Sequence, residues 1–137
     1  MKVLLILVFC LAILAALGAI GNDGSKKPPA KKVASKSGPL SFKKDVFPIF
    51  KKYCLPCHSE DQMNASELYL ESYDQLMQGG KHGKPVVAGK PDSSMLIQKV
   101  SLKPPFGDPM PMKRKSAFDT DTLKILRDWI QQGAKNN

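Results

Sequence analysis

Apolar residues in this chain form one solid N-terminal block and then, after a polar gap, two well-separated periodic runs. Val3 to Ile20 is uncharged and almost wholly apolar. The next apolar pattern begins near Leu40. At about 100° per residue, Phe42, Val46, Ile49, Phe50 and Tyr53 share one face of a helix, with Phe47 and Cys54 at its edge. Lys44, Asp45, Lys51 and Lys52 take the other side, and Lys43 alone breaks the pattern. Ser41 is a sound N-cap. Pro48 has no N–H and is tolerated only in a first turn, so the regular helix is expected to start near Phe47.

The last run is cleaner. Leu123, Ile125, Leu126, Trp129 and Ile130 occupy one half of a helical wheel, and Lys124, Arg127, Asp128, Gln131 and Gln132 the other. Asp119 is the expected cap, Phe118 and Leu123 can staple across it, and Gly133 can end the helix. Two shorter helices are expected at about 72–78 and 92–101. Gly79, Gly80, Gly83, Pro85, Gly89 and Pro91 separate them. Residues 102–115 hold Pro104, Pro105, Pro109, Pro111 and Gly107 and read as an irregular loop with fixed turns. No alternating strand pattern runs for more than a few residues. The class is all-α with long loops, and the terminal helices are each other's obvious partners.

Length then bounds the possibilities. Of 137 residues, only about the last 98 can build a core. Residues 1–21 read as a signal peptide or a membrane anchor. Lys2 precedes an apolar stretch longer than the usual 7–15 residues of a signal peptide and just long enough to span a bilayer. Small residues close it (Ala15, Ala16, Gly18, Ala19, Gly21), and either reading takes the domain out of the cytoplasm. The lysines that follow the block weigh against a retained anchor. Cys10 lies within it, after Phe9, as a small apolar filler. Residues 22–39, rich in Lys, Pro, Ser and Gly, are expected to be a disordered basic linker. Residues 40–137 are the domain.

The formal charge is +9, but only +4 of it belongs to residues 40–137. A basic stripe for nucleic acid is therefore not supported. A large enzyme with a deep cleft and a long-period repeat array are excluded by size and by the absence of recurring segments. Four short helices joined by Pro/Gly loops bury too little for comfort, and domains this small usually need a staple or a cofactor.

Cys54-Leu55-Pro56-Cys57-His58 supplies one. C-x-x-C-H is the attachment signature of c-type haem: two thiols add to the porphyrin vinyl groups, and the adjacent His58 becomes the proximal iron ligand. The motif follows an amphipathic helix in an exported chain. Three other readings exist. A thioredoxin-like pair needs a βαβ context, which is absent. A zinc site from Cys54, Cys57, His58 and His82 would ask adjacent residues to share a tetrahedral centre. A Cys54–Cys57 disulfide is the plainest.

An electron-shuttling iron needs a sixth ligand, and a thioether favours the reduced state. The candidates are Met63, Met77, Met95, Met110, Met112 and His82. Met110, between Pro109 and Pro111 in the rigid loop before the last helix, is the expected distal ligand, with Met112 the alternative. Met77 and Met95 lie in helical runs and read as core, Met63 as surface, and His82 as an exposed loop histidine. Tyr53 and Trp129 read as helix packing rather than haem-propionate contacts. Arg127 and residues 113–115 read as a solvated basic face.

These residues carry a resemblance. Phe42-x-x-Asp45-Val46-x-Pro48-Ile49-Phe50, Cys54-x-x-Cys57-His58, Leu68-x-Leu70, Gly79-Gly80, His82-Gly83, Gly89-x-Pro91-x-x-Ser94, Met110-Pro111 and Trp129-Ile130-x-x-Gly133-Ala134 resemble the planctomycete-type cytochrome c domain over about Ser41 to Ala134. The resemblance implies a small class I cytochrome c fold with one covalent haem c, Cys54 and Cys57 as its thioether attachments, His58 proximal and Met110 distal. The family usually reads Met-Pro-Pro, and Met112 stands where the second proline would be.

The expected function is that of an exported monohaem electron carrier, not an enzyme, located in the bacterial periplasm or at the outer face of the cytoplasmic membrane. It would be monomeric and would meet redox proteins transiently, with acidic partners modestly favoured by the charge. The alternative is a small-ligand sensor or peroxidase-like domain in which Met110 is labile or off the iron, with His82 as the one distal acid–base candidate.

Overall fold

A computed structural model describes residues 38–113, 116 and 118–137. The leader and residues 22–37 of the linker lie outside the described residues. Among the described residues all regular structure is helical, apart from one isolated bridge between Gly80 and Gly83. None of these helices is long and apolar enough to cross a membrane.

The first run folds as the proline requires. Ser41 caps it: its hydroxyl accepts the Lys44 N–H, and its own N–H donates to the Asp45 carboxylate at 2.9 Å. Phe42–Val46 is a single π-helical turn, and α1 (Phe47–Tyr53) begins a fresh register with Pro48 in its first turn. There the missing N–H leaves no intrahelical bond unmade. Phe42, Val46, Ile49 and Phe50 are buried, as the periodicity requires.

α2 (Tyr73–Gln78) is capped by Ser72, whose hydroxyl accepts the Gln75 N–H. α3 (Met95–Val100) starts three residues later than the sequence suggests. Ser94 is the cause. Its fully buried hydroxyl accepts the Val87 N–H at 2.9 Å and donates to the Lys90 carbonyl at 2.9 Å. The Ser94 N–H donates to the Pro91 carbonyl, so residues 91–94 make a turn before the helix. The preceding loop is fastened to the last helix by the Gly89 N–H, which donates to the Ile130 carbonyl at 2.8 Å.

α4 (Thr120–Gln131) is the longest element. Both carboxylate oxygens of Asp119 serve its cap, accepting the Thr122 N–H and hydroxyl at 2.9 and 2.7 Å. Phe118 is buried and Leu123 packs at the edge of the core. At the other end the Ala134 N–H reaches the Trp129 carbonyl and the Gly133 N–H the Ile130 carbonyl, the paired bonds of a Schellman stop. Gly133 sits at φ +96, which is why glycine ends this helix.

The two ends of the domain meet around one ring. The Phe42 ring centroid lies 5.9, 6.1, 5.3 and 5.7 Å from those of Phe47, Phe50, Tyr73 and Trp129. Tyr73 keeps its hydroxyl satisfied on the Ala134 carbonyl at 2.9 Å, and Trp129 its Nε1–H on the Lys135 carbonyl at 3.0 Å. Trp129 is fully buried here, and Tyr53 packs on Phe118 at 4.9 Å, so both aromatics act in packing. Backbone bonds complete the closure: Lys43 N–H to the Asn137 carbonyl, Phe42 N–H to Asn137 Oδ1, and Leu40 N–H to Gln132 Oε1. Gln132 Nε2 also holds the Gly38 carbonyl, two residues ahead of Leu40.

Candidate functional site

Helix α1 delivers the cysteines. The Cys54 and Leu55 N–H groups both donate to the Phe50 carbonyl, which ends the helix, and the Cys57 and His58 N–H groups both return to the Cys54 carbonyl at 3.0 and 2.9 Å. The turn holds Cys54, Cys57 and His58 together at the C-terminus of α1. Both thiols are free. They differ in setting: Cys57 is exposed, whereas burial pushes the Cys54 thiol up to about 12.

The His58 ring is half-buried, and its orientation is set from residues 64–70. Nδ1 lies 2.9 Å from the Leu68 carbonyl, and the Leu70 N–H donates back to the His58 carbonyl at 2.9 Å. A carbonyl can only accept, so the tautomer that bonds it carries its proton on Nδ1 and its lone pair on Nε2. Among the described residues the hydrogen bonds of this ring are all at Nδ1.

Asn64 completes the arrangement. Its Oδ1 accepts the Ser66 N–H and hydroxyl at 3.1 and 2.7 Å, which fixes which end of the amide is nitrogen. Nδ2 then donates to the Leu68 carbonyl at 2.6 Å and comes within 3.0 Å of His58 Nδ1. The two nitrogens converge on one acceptor, so their mutual approach needs no bond of its own. Sequence reasoning missed Asn64. Its only advance signal is Asn-x-Ser in a polar loop, the pattern of an Asx turn.

A hairpin braces this loop. The Lys81 N–H donates to the Ser66 carbonyl at 2.9 Å, and a Cβ on Gly80 would sit 2.4 Å from that same oxygen, so only glycine permits the approach. Lys81 and Glu67 form an exposed ion pair at 2.9 Å. His82 at the hairpin tip is exposed and stacks on Phe106, with ring centroids 4.3 Å apart. His82 therefore stands beside Phe106 in the Pro-rich 102–115 segment and not with the cysteines. Among the described residues no three His, Cys, Asp or Glu side chains gather as a metal cluster, so the donors of the zinc reading are not assembled.

Met110 is half-buried, its N–H donates to the Lys99 carbonyl at 3.0 Å, and the peptide bond to Pro111 is cis. Met112 is 57% exposed. Met63 is fully exposed, and Met77 packs at the core's edge. No hydrogen bond or ring contact among the described residues links Met110 to the Cys54–His58 turn. Arg127 pairs with Asp92 at 2.7 Å, and Lys113 is exposed.

The donor set fits a covalently held haem. Two free thiols stand at a helix end with two residues between them, and the adjoining imidazole is oriented through Nδ1 so that Nε2 keeps its lone pair.

No curated protein and no solved structure matches the chain. A family model does match, that of planctomycete cytochrome C, over residues 54–109. The matched stretch begins at Cys54 and stops one residue short of Met110, narrower than the resemblance read from the sequence. The segment that carries the Cys54–Cys57–His58 turn, its Leu68 acceptor and the Gly80 brace is thus the part of the chain that matches the planctomycete cytochrome c family.

Proposed function

We propose that this protein is an exported monohaem c-type cytochrome that passes single electrons between partner proteins. Cys54 and Cys57 hold one haem c through thioethers, His58 Nε2 is the proximal ligand, and the Met110 sulfur is the distal one. The observation that carries the reading is the His58 ring, held by an acceptor-only carbonyl 2.9 Å from Nδ1 beside two free thiols. A hydrogen bond from the nitrogen that does not ligate fixes the orientation of a ligating histidine and raises its basicity. When bound, the haem supplies a one-electron couple.

The protein's own residues do the rest. The Cys54–His58 turn presents attachment and ligation from one helix end. Asn64 and Leu68 keep the imidazole in register. The half-buried Met110, tied through its backbone to α3, is better placed to stay out of water than the exposed Met112. A soft sulfur donor favours the reduced iron and so raises the potential. The modest +4 on residues 40–137 favours acidic partners through salt-sensitive, weak encounters. The apolar leader supports export.

A visible spectrum of protein made in a haem-maturing host tests the proposal. A low-spin, six-coordinate haem that resists acid–acetone extraction, with one haem mass added per chain, is expected. A high-spin ferric spectrum would replace the carrier by a ligand-binding sensor, and a colourless product would end the haem reading altogether.

A further inference from the structure

Residues 102–110 leave α3 and return to it. The Lys103 N–H donates to the Gln98 carbonyl at 3.1 Å and the Met110 N–H to the Lys99 carbonyl at 3.0 Å, so both ends of the loop close on the last turn of one short helix. Within the loop Leu102 and Gly107 sit at φ +59 and +52, and Phe106 is 38% exposed. Apolar burial does little to hold such a segment.

Lys99 fills the gap. Its ammonium donates to the carbonyls of Phe106 and Asp108, the second at 3.0 Å, and stands 4.2 Å from the centroid of the Phe106 ring. A lysine in a last helical turn is ordinarily solvated and helped only by the helix dipole. Here one charge makes two charge-assisted bonds and a ring contact, all to the loop that ends at Met110, and bonds of that kind are about twice as strong as neutral ones.

We infer that Lys99 is a positioning residue for the sixth ligand, a clamp on residues 106–110 that keeps the Met110 sulfur in place against exchange with an added ligand. This rests on the reading of Met110 as the distal ligand. Opening the loop far enough to withdraw the sulfur breaks the Lys99 bonds, so the side chain sets how much of the open form is present. An external ligand that binds only the open form reports that population directly.

The test uses the full haem-bound chain and imidazole as the probe. Lys99→Met keeps an aliphatic stem of similar length and removes the charge; Lys99→Arg keeps charge and donors. Three readouts are taken: imidazole affinity of the ferric protein, the weak far-red absorption of a sulfur–ferric iron bond, and the urea midpoint. Lys99→Met is expected to bind imidazole about tenfold more tightly, the effect of losing roughly one charge-assisted bond, and its urea midpoint should fall by about 1 M, the same loss read against the unfolded chain. Lys99→Arg is expected to stay within about twofold of the parent. Lys99→Gln, with donors but no charge, should fall between them and serves if the methionine variant does not fold.

Unchanged imidazole affinity in Lys99→Met overturns the inference, and so does a lowered urea midpoint with unchanged affinity, which would make Lys99 merely structural. Met110→Ala separates the two levels. If it abolishes the far-red band while Lys99→Met changes nothing, the clamp alone is wrong. If the parent lacks the band, or Met110→Ala keeps it, the ligand assignment fails and the clamp with it.

Discussion

Asn64 offers two substitutions whose effects should diverge. Asn64→Ala removes three hydrogen bonds: those accepted from the Ser66 N–H and hydroxyl, and the one donated to the Leu68 carbonyl. Each is worth about 0.5–1.5 kcal/mol net, and the half-buried site lets water replace part of each, so about 2 kcal/mol of stability should be lost. For a domain near this size, with a urea slope of about 1–1.5 kcal/mol/M, the midpoint should fall by about 1.5–2 M. The potential should hardly change, because the Leu68 carbonyl still accepts from His58 Nδ1.

Asn64→Asp behaves differently. It keeps an acceptor for Ser66 but sets a carboxylate oxygen where Nδ2 now lies, 2.6 Å from the Leu68 carbonyl and 3.0 Å from His58 Nδ1. Two acceptors repel, and the imidazole proton turns to the carboxylate. A histidine bonded to a full charge is a stronger donor to iron and favours the ferric state. The gain over a neutral acceptor is about 1 kcal/mol, which for one electron lowers the potential by about 40 mV. Spectroelectrochemical titration of the three proteins measures it. A potential for Asn64→Asp equal to or above the parent's, with the iron still low-spin, would refute the claim that this amide lies against the ligating ring.

Three further outcomes follow from the geometry. Phe42→Ala, which empties the centre of four ring contacts, should cost about 3–5 kcal/mol by urea denaturation, whereas Phe42→Leu should cost less than half of that. Gly80→Ala must push the Ser66 carbonyl aside and should lower the melting temperature by several degrees, about 2 kcal/mol, in thermal scans followed by circular dichroism. In chain made without haem attachment, iodoacetamide at pH 9 should label the exposed Cys57 at least tenfold faster than Cys54, whose thiol is held up to about 12, as read by peptide mass spectrometry. The same shift lowers stability as pH rises above the ordinary thiol value of 9.0 towards 12, because only the unfolded chain then releases that proton.

What could be read in advance, and what could not, divides by distance along the chain. Helical period placed Phe42, Val46, Ile49 and Phe50 in the core, and the missing N–H of Pro48 forecast where the regular helix begins. The π turn before it is the price of that proline, since the chain must change register to place it in a first turn. The cap at Asp119 and the stop at Gly133 are local devices and were equally legible. α3 begins late because a buried Ser94 hydroxyl bonds residues four and seven positions behind it, a choice no helical wheel displays. The same holds for the site. Cys54, Cys57 and His58 announce themselves by spacing, whereas Asn64 and Lys99 act through carbonyls that any residue would supply. Their partners are set by how loops fold, and the wheel and the motif are silent on that.

The ring of Phe42 has a consequence for the order of events in the cell. Its neighbours come from both ends of the domain, Phe47 and Phe50 early and Trp129 last, so this cluster closes only when α4 has been made. Contacts so far apart in the chain are the slow ones to form. Cys54 and Cys57 emerge long before then, on a segment whose helix still lacks its partner. The cysteines are thus carried on an open chain until α4 arrives to close the aromatic cluster.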